Sequence, residues 1–295
     1  EALAQKYDVV VTNPPYMGAS NMNPKLNEFI KNNYADYKSD FFSAFVIHAS
    51  QMTKQSGYCG FFTPYVWMFI SAYEKMRNYL YNRTTVETLI QFEYSAFEEA
   101  TVPVCTFAFQ NRHVQKKGCY LRLVDFRGGM EVQRQKTLEA IENHDCGFYY
   151  EQSTDNFSKI PGSPVAYWAS AKLFDTFASF ATIGDYYDVR NGITTGDNNT
   201  FLKLWHEIGE NPERWFPCNK GGAYRKWYGN NDDVVNWLND GAEVKGFVDD
   251  KGKQRSRPQN QQYYYREGGT WSAISSSSFS VRYFSEGFLF SNAGM

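Results

Sequence analysis

What the chain lacks narrows its function first. No apolar stretch is long enough to cross a bilayer: the longest, residues 58–70, is interrupted by Thr63 and Pro64. No secretory leader is expected, because Glu1 is followed by polar residues and then by Tyr7-Asp8-Val9-Val10-Val11. Cysteine is sparse. Cys59, Cys105, Cys119, Cys146 and Cys218 make five, an odd number without a C-x-x-C pair, which points to a reducing, cytoplasmic setting. The four histidines (His48, His113, His144, His206) lack metal-ligand spacing, and His144 with Cys146 has no further ligands nearby in sequence, so no structural metal is expected. Net charge is also small. With 30 Lys+Arg against 32 Asp+Glu the formal charge is −2, which excludes a protein that coats nucleic acid by bulk charge and leaves room for a local basic groove.

What is present reads as globular: 42% hydrophobic, 21% charged and 18% aromatic, at a length of 295 residues that suggests two domains. The first residue is not Met, a strand follows almost at once, and the end, Phe290-Ser291-Asn292-Ala293-Gly294-Met295, has no obvious cap. These features predict a piece of a longer protein.

Residues 7–11 form a β-branched strand ending in a turn. Helices are predicted over 24–33, with Pro24 at the start, and over 40–54, with Asp40 as N-cap and Phe41, Phe45, Ile47/His48 and Met52 on one face. Strands are predicted over 57–63, 86–92, 104–109 and 119–126, and helices over 71–82 and 131–144. Strands alternating with helices imply an α/β unit on a mostly parallel sheet, and the loop between 86–92 and 104–109 allows an antiparallel edge. Residues 153–164 are rich in Ser, Pro and Gly and read as a linker; beyond them the chain is dense in Gly, Asn, Trp and Tyr. No solenoid-type repeat is found.

Asn13-Pro14-Pro15-Tyr16 follows the first strand directly. One reading is a rigid turn that stops the strand. The other is chemical. An amino nitrogen conjugated to an aromatic ring or amide is a poor nucleophile; the Asn13 side-chain carbonyl and the Pro14 backbone carbonyl would accept its two N–H bonds and aim its lone pair at a methyl donor. Catalysis is then positioning plus electrostatic stabilisation. Tyr16 would stack on an extruded base.

Residues 7–16, followed by 40–45 and 57–64, resemble motifs IV to VI of the gamma-class adenine-N6 DNA methyltransferases. Phe97-Glu98-Glu99-Ala100-Thr101-Val102-Pro103-Val104 resembles their motif VIII region, which implies Phe97 as a second stacking face; core packing is its other reading. Arg190-Asn191-Gly192-Ile193-Thr194-Thr195-Gly196-Asp197-Asn198-Asn199 with Phe201 is similar to the opening of target-recognition regions in Eco57I-like and type IIG enzymes, and residues 220–230 resemble the PglX family of BREX phage-defence systems. The resemblance implies part of a Rossmann-like class I methyltransferase domain (1–126), a connecting segment (127–164) and part of an α+β target-recognition domain (165–295). It implies S-adenosylmethionine as methyl donor, double-stranded DNA as partner, further subunits of a defence system, and no membrane.

These enzymes bind the donor through a glycine-rich turn upstream of the motif. Here no G-x-G occurs among 22 glycines and only twelve residues precede Asn13. Asn13, Asp40 and Phe41 are the donor-side contacts expected to remain, and the chain alone is expected to bind the donor poorly and not to methylate DNA.

Candidate DNA contacts are Arg190, Lys220, Arg225, Lys226, Arg255 and Arg257, together with Gly192, Thr195, Gly196, Asn198 and Asn199. Gly192 and Gly196 permit either close DNA approach or a tight structural turn. Trp205, Trp215, Trp227, Trp237 and Trp271 read as core. Two further readings stay open: methylation of a protein glutamine amide, which uses the same N-P-P-Y, and a DNA-recognition module whose catalytic remnant is only scaffold. The long aromatic-rich extension argues against the first.

Overall fold

Strand β1 (Tyr7–Thr12) ends just ahead of Pro14 and Pro15, which have no N–H to offer a ladder. The computed structural model describes residues 5–94, 96–97, 102–209, 212–274 and 278–292. Residues 98–101 of the motif VIII-like stretch and the end of the chain from 293 lie outside the described residues.

Helix α1 (Pro24–Asn33) begins on Asn23, whose side chain accepts from Leu26 N. Helix α2 (Phe41–Met52) begins on Asp40, whose side chain accepts from Phe42 N. There follow β2 (Thr53–Pro64), α3 (Glu74–Arg83), β3 (Thr85–Gln91), β4 (Val104–Gln110), β5 (Gly118–Arg122), α4 (Gly129–Glu142), β6 (Tyr149–Gln152), α5 (Thr154–Phe157) and α6 (Ala171–Ser179).

The fold is mixed α/β on a six-stranded sheet ordered β1-β2-β4-β3-β5-β6. β1 and β2 pair in parallel, as do β3 and β5, whereas β4 is antiparallel to both its neighbours and β6 to β5. The antiparallel strand expected at an edge thus lies inside the sheet. The passage from β2 to β3 runs through α3 and leaves a gap between them; among the described residues of the link from β3 to β4 there is no helix, and β4 returns antiparallel into that gap.

Helix α2 packs against β1 and β2 and buries Phe42, Val46, Ile47 and Ala49. The expected Phe41–Phe45 stripe is only half-buried and His48 is exposed. The helix is apolar nearly all round, so periodicity could not choose its inner face.

The stretch expected to connect two domains is structured. The chain divides into compact units Glu1–Ala181 and Thr182–Met295. Residues 127–164 contribute α4, α5 and edge strand β6 to the first unit, and Phe157, Val165, Tyr167 and Phe174 join its core. The Ser- and Gly-containing tail of this stretch is held by Arg77. Its guanidinium, 1% exposed, donates to the carbonyls of Trp67, Ile70, Gly162 and Ser163.

The second unit is built of short elements: α7 (Ile183–Tyr186), β7 (Ile193–Thr194), α8 (Asn198–Phe201), β8 (Leu202–Leu204), β9 (Trp215–Asn219), β10 (Asp233–Asn236), α9 (Leu238–Lys245), β11 (Arg257–Pro258), β12 (Gly268–Thr270), β13 (Arg282–Phe284) and β14 (Leu289–Phe290). Four strands form a sheet ordered β14-β9-β10-β8; β11 pairs with β7 and β12 with β13. Its core holds Trp237, Val235, Val244, Tyr264 and Leu289. Trp205 and Trp227, read as core from the sequence, are 60% and 73% exposed. Among the described residues no helix is long and apolar enough to cross a membrane, and no cluster of three His, Cys, Asp or Glu side chains gathers to hold a metal.

Candidate active site

The Asn-Pro-Pro-Tyr turn stands at the carboxyl end of β1, the end at which open α/β sheets bind their ligands. Pro14 is buried while Asn13, Pro15 and Tyr16 are exposed, so the first proline anchors the turn and its neighbours face outward. The β1–β2 ladder ends with Thr12 opposite Phe61. The next carbonyl of β2, that of Phe62, is reached by the Tyr16 hydroxyl at 3.1 Å, and the same hydroxyl lies 3.0 Å from Asn13 Oδ1. Burial, with the nearby Cys105 thiol adding to it, pushes the Tyr16 hydroxyl up to about 12, so it stays protonated at working pH.

Helix α2 holds the far side of the turn. The Asp40 Oδ1 that caps the helix at Phe42 N (3.2 Å) also accepts from Met17 N at 2.9 Å. Phe41 N donates to Met17 O at 3.0 Å, and Gly18 bridges to Asp40. Burial raises the Asp40 carboxyl above the ordinary range, against the pull of the Met17 and Phe42 N–H donors. Asp40 is thus engaged with the backbone of the turn itself. Phe41 packs edge-on to Phe45 at 4.9 Å and against the small Met22, Ile30 and Ala44 cluster. The Tyr16 ring meets Phe42 edge-on at 6.3 Å.

Phe97 is half-buried and edge-on to both Phe62 and Phe92, with ring centroids 5.2 Å apart in each case. The two aromatic residues singled out in the sequence therefore share one neighbour: Phe62 meets Phe97 through its ring and Tyr16 through its carbonyl. Sequence reasoning missed Phe62. Its signal was parity, since Phe61 and Phe62 are adjacent on a strand and only Phe61 points into the main core.

In the second unit the structure brings two candidate DNA segments together. Thr194 on β7 pairs with Arg257 on β11, and Asn260 donates to Asn191 O at 2.9 Å. Gly192 and Gly196 are tightly packed. A Cβ on Gly192 would lie 1.8 Å from Phe290 O, and one on Gly196, where φ is +78°, would lie 2.8 Å from the Arg255 backbone. Thr195 is buried and donates to Asn198 Oδ1 at 2.6 Å, while Asn199 N donates to Asp197 Oδ1. Arg190 pairs with Asp188 at 2.6 Å and lies over Tyr263, which also carries Arg266; both guanidiniums are 5.4 Å from the ring centroid. Arg255 and Arg257 are exposed.

The 220–230 segment joins this region through the chain end: Ser291 N donates to Asn219 O and Asn292 N to Ile193 O. Lys220 is paired with Asp233 at 3.2 Å. Arg225 is exposed, and Lys226 lies over the rings of Tyr224 and Trp227.

Residues 2–97 match the Eco57I restriction-modification methylase family. Over 314 residues the chain is 38% identical to the adenine-specific methyltransferase PglX of Lacticaseibacillus casei (strain Zhang), covering 100% of this chain and 26% of that protein. It is 35% identical over 304 residues to the adenine-specific methyltransferase BrxX of Escherichia coli O9:H4 (strain HS), covering 99% of this chain and 24% of the relative. The chain thus spans about a quarter of the length of the curated relatives it matches. Among solved structures, the type IIL restriction-modification enzyme MmeI, determined in complex with DNA, shares the fold with a TM-score of 0.55 at 12% identity, over 97% of this chain and 40% of that one. The chain therefore carries an Eco57I-like restriction-modification methylase domain.

Proposed function

We propose that this chain supplies the target-side half of the catalytic site, and the first part of the DNA-recognition region, of an adenine-N6 DNA methyltransferase in a restriction-modification or phage-defence system. The observation that carries this reading is the Asn13–Tyr16 turn at the carboxyl end of β1, exposed at Asn13 and Tyr16 and braced from β2 and α2. Its named relatives, PglX and BrxX, are adenine-specific methyltransferases.

In this reading Asn13 Oδ1 and the Pro14 carbonyl accept the two N–H bonds of a flipped adenine's amino group. The prolines restrict φ and keep the backbone acceptor still. Tyr16 and Phe97 offer flat faces to the extruded base. The amino nitrogen gains positive character as it attacks, and the two carbonyl dipoles stabilise that charge without a strong base. Asp40 positions the turn by holding Met17 N.

S-adenosylmethionine supplies the methyl group. Asn13 is the residue here suited to meet it, with Phe41 beside the turn. Val9 and Val11 stand 57% and 75% exposed on β1, an apolar surface suited to covering by protein. No G-x-G turn of the kind expected to hold the donor occurs among these residues.

We assign duplex DNA contacts to Arg190, Arg255 and Arg257 and to the exposed Arg225 and Lys226, with Gly192, Thr195, Gly196, Asn198 and Asn199 shaping the loop and Lys220 tethered to Asp233. Further defence-system subunits belong to the same reading.

Asn13→Ala in the full-length natural protein tests it. Adenine methylation is expected to be lost while duplex binding, read by mobility shift at low salt, is kept. Retained methylation refutes the catalytic reading.

A further inference from the structure

In the second unit one aromatic ring carries two guanidiniums. Those of Arg190 and Arg266 each lie 5.4 Å from the centroid of Tyr263. The two charges are therefore separated by at most twice that distance, comparable with the screening length of about 10 Å at 0.1 M salt. They reach the ring from separate segments that the fold locks together: Asn260 donates to Asn191 O at 2.9 Å, and Tyr263 N donates to Asn260 O at 3.0 Å. The ring itself is half-buried against the core that holds Trp237 and Tyr264.

The two arginines differ in their partners. Arg190 donates to Asp188 Oδ1 at 2.6 Å and to the Val189 carbonyl at 3.2 Å. Arg266 is exposed and, among the described residues, has neither an ion pair nor a hydrogen bond; the adjacent carboxylate, Glu267, accepts from the Tyr283 hydroxyl at 2.9 Å. A ring gives a guanidinium direction but satisfies none of its five N–H donors. The carboxylates on the neighbouring segment are engaged as well, Asp188 with Arg190 and Asp197 with Asn199 N and the Thr200 hydroxyl. The Arg266 fork is thus oriented and left without an anion.

We propose that Tyr263 is a platform that seats Arg190 and Arg266 to grip a phosphate of the duplex DNA backbone, with Arg266 bringing the uncompensated charge. Planar guanidinium forks match phosphate oxygens, and seating both in advance lowers the ordering cost of binding. Such a contact fixes the position of the unit on the duplex and carries no sequence information. The proposal rests on the reading that the second unit meets duplex DNA, and it adds Tyr263 and Arg266 to that reading.

The test is binding of a fluorescently labelled mixed-sequence duplex by the full-length natural protein, read as anisotropy over a series of salt concentrations. Arg266→Gln changes an exposed side chain and is expected to lower the slope of log affinity against log salt by about 0.9, the loss of one phosphate contact. Tyr263→Leu keeps both arginines and removes their seat; its slope is expected to fall at least as far. Tyr263→Phe, which keeps the ring, is expected to restore the natural slope, whereas a purely structural role for Tyr263 moves stability and not the slope. A natural slope in Arg266→Gln, or in folded Tyr263→Leu, overturns the proposal; if Tyr263→Leu does not fold, Arg266→Gln decides alone. In the overturning case a lowered slope in the Arg255→Gln, Arg257→Gln double variant leaves the DNA reading standing. Absence of duplex binding by the natural protein at low salt overturns that reading itself.

Discussion

Replacing Arg77 by Met should loosen the first unit at a point distant in sequence from α3. The guanidinium is 1% exposed and donates to Trp67 O at 2.7 Å, Ile70 O at 2.8 Å, Gly162 O at 2.6 Å and Ser163 O at 3.0 Å. The Ser163 carbonyl keeps a partner in the Tyr81 hydroxyl and the Ile70 carbonyl one in Tyr73 N, both at 3.1 Å, so the carbonyls of Trp67 and Gly162 lose their donor. At about 1–3 kcal/mol for each group left unsatisfied, the gross loss is about 2–6 kcal/mol. Against it stands the cost of keeping a guanidinium out of water, which also lowers the Arg77 pKa, and which amounts to several kcal/mol. A net loss of about 1–3 kcal/mol remains once Met fills the volume, or roughly 3–9 °C in the unfolding midpoint of a unit this size. Calorimetry reads the midpoint, and tryptic cleavage after the exposed Lys159 reads local release of the 158–164 segment. Arg77→Lys should recover only part of the loss, because an ammonium cannot span the same fork. A midpoint within about 2 °C of the natural protein, with unchanged cleavage at Lys159, would refute the argument that Arg77 staples this segment.

Gly192→Ala should destabilise the second unit by more than about 2 kcal/mol, because the new Cβ meets the Phe290 backbone and not a side chain that can swing away; calorimetry of the second transition checks it. For Asp40 the folded pKa is raised, so the native state binds that proton more readily than the unfolded chain does. Its contribution is complete below the ordinary carboxylate value and is lost as pH rises through the folded value. Asp40→Asn should therefore gain in unfolding midpoint relative to the natural protein as pH rises from 4 to 7, and a difference constant across that range contradicts the assignment.

Local chemistry was legible residue by residue. Asn23 and Asp40 cap their helices as their side chains require, and two prolines stop β1 where no ladder N–H is left. Resemblance drew attention to Tyr16 and Phe97, but not to what holds them. Whether Gly192 and Gly196 serve a turn or a ligand was equally open in one dimension; their close packing on Phe290 and Arg255 shows the structural demand. The Ser153–Pro164 stretch reads as a linker because it is rich in Ser, Pro and Gly, although its fixing depends on an arginine far upstream.

The sequence by itself determined the helix starts, the strand-turn that carries Asn13, and the division into a strand-helix half and a loop-rich half. Those features depend on contacts a few residues long. Tertiary structure alone decided that β4 enters between β2 and β3, which face of α2 is buried, that the first unit runs to Ala181, and that Phe62 receives the Tyr16 hydroxyl. The deciding contacts join residues 46 apart for Tyr16 and Phe62 and 85 apart for Arg77 and Gly162. A carbonyl or guanidinium finds such partners only when strand order and packing have already brought them together.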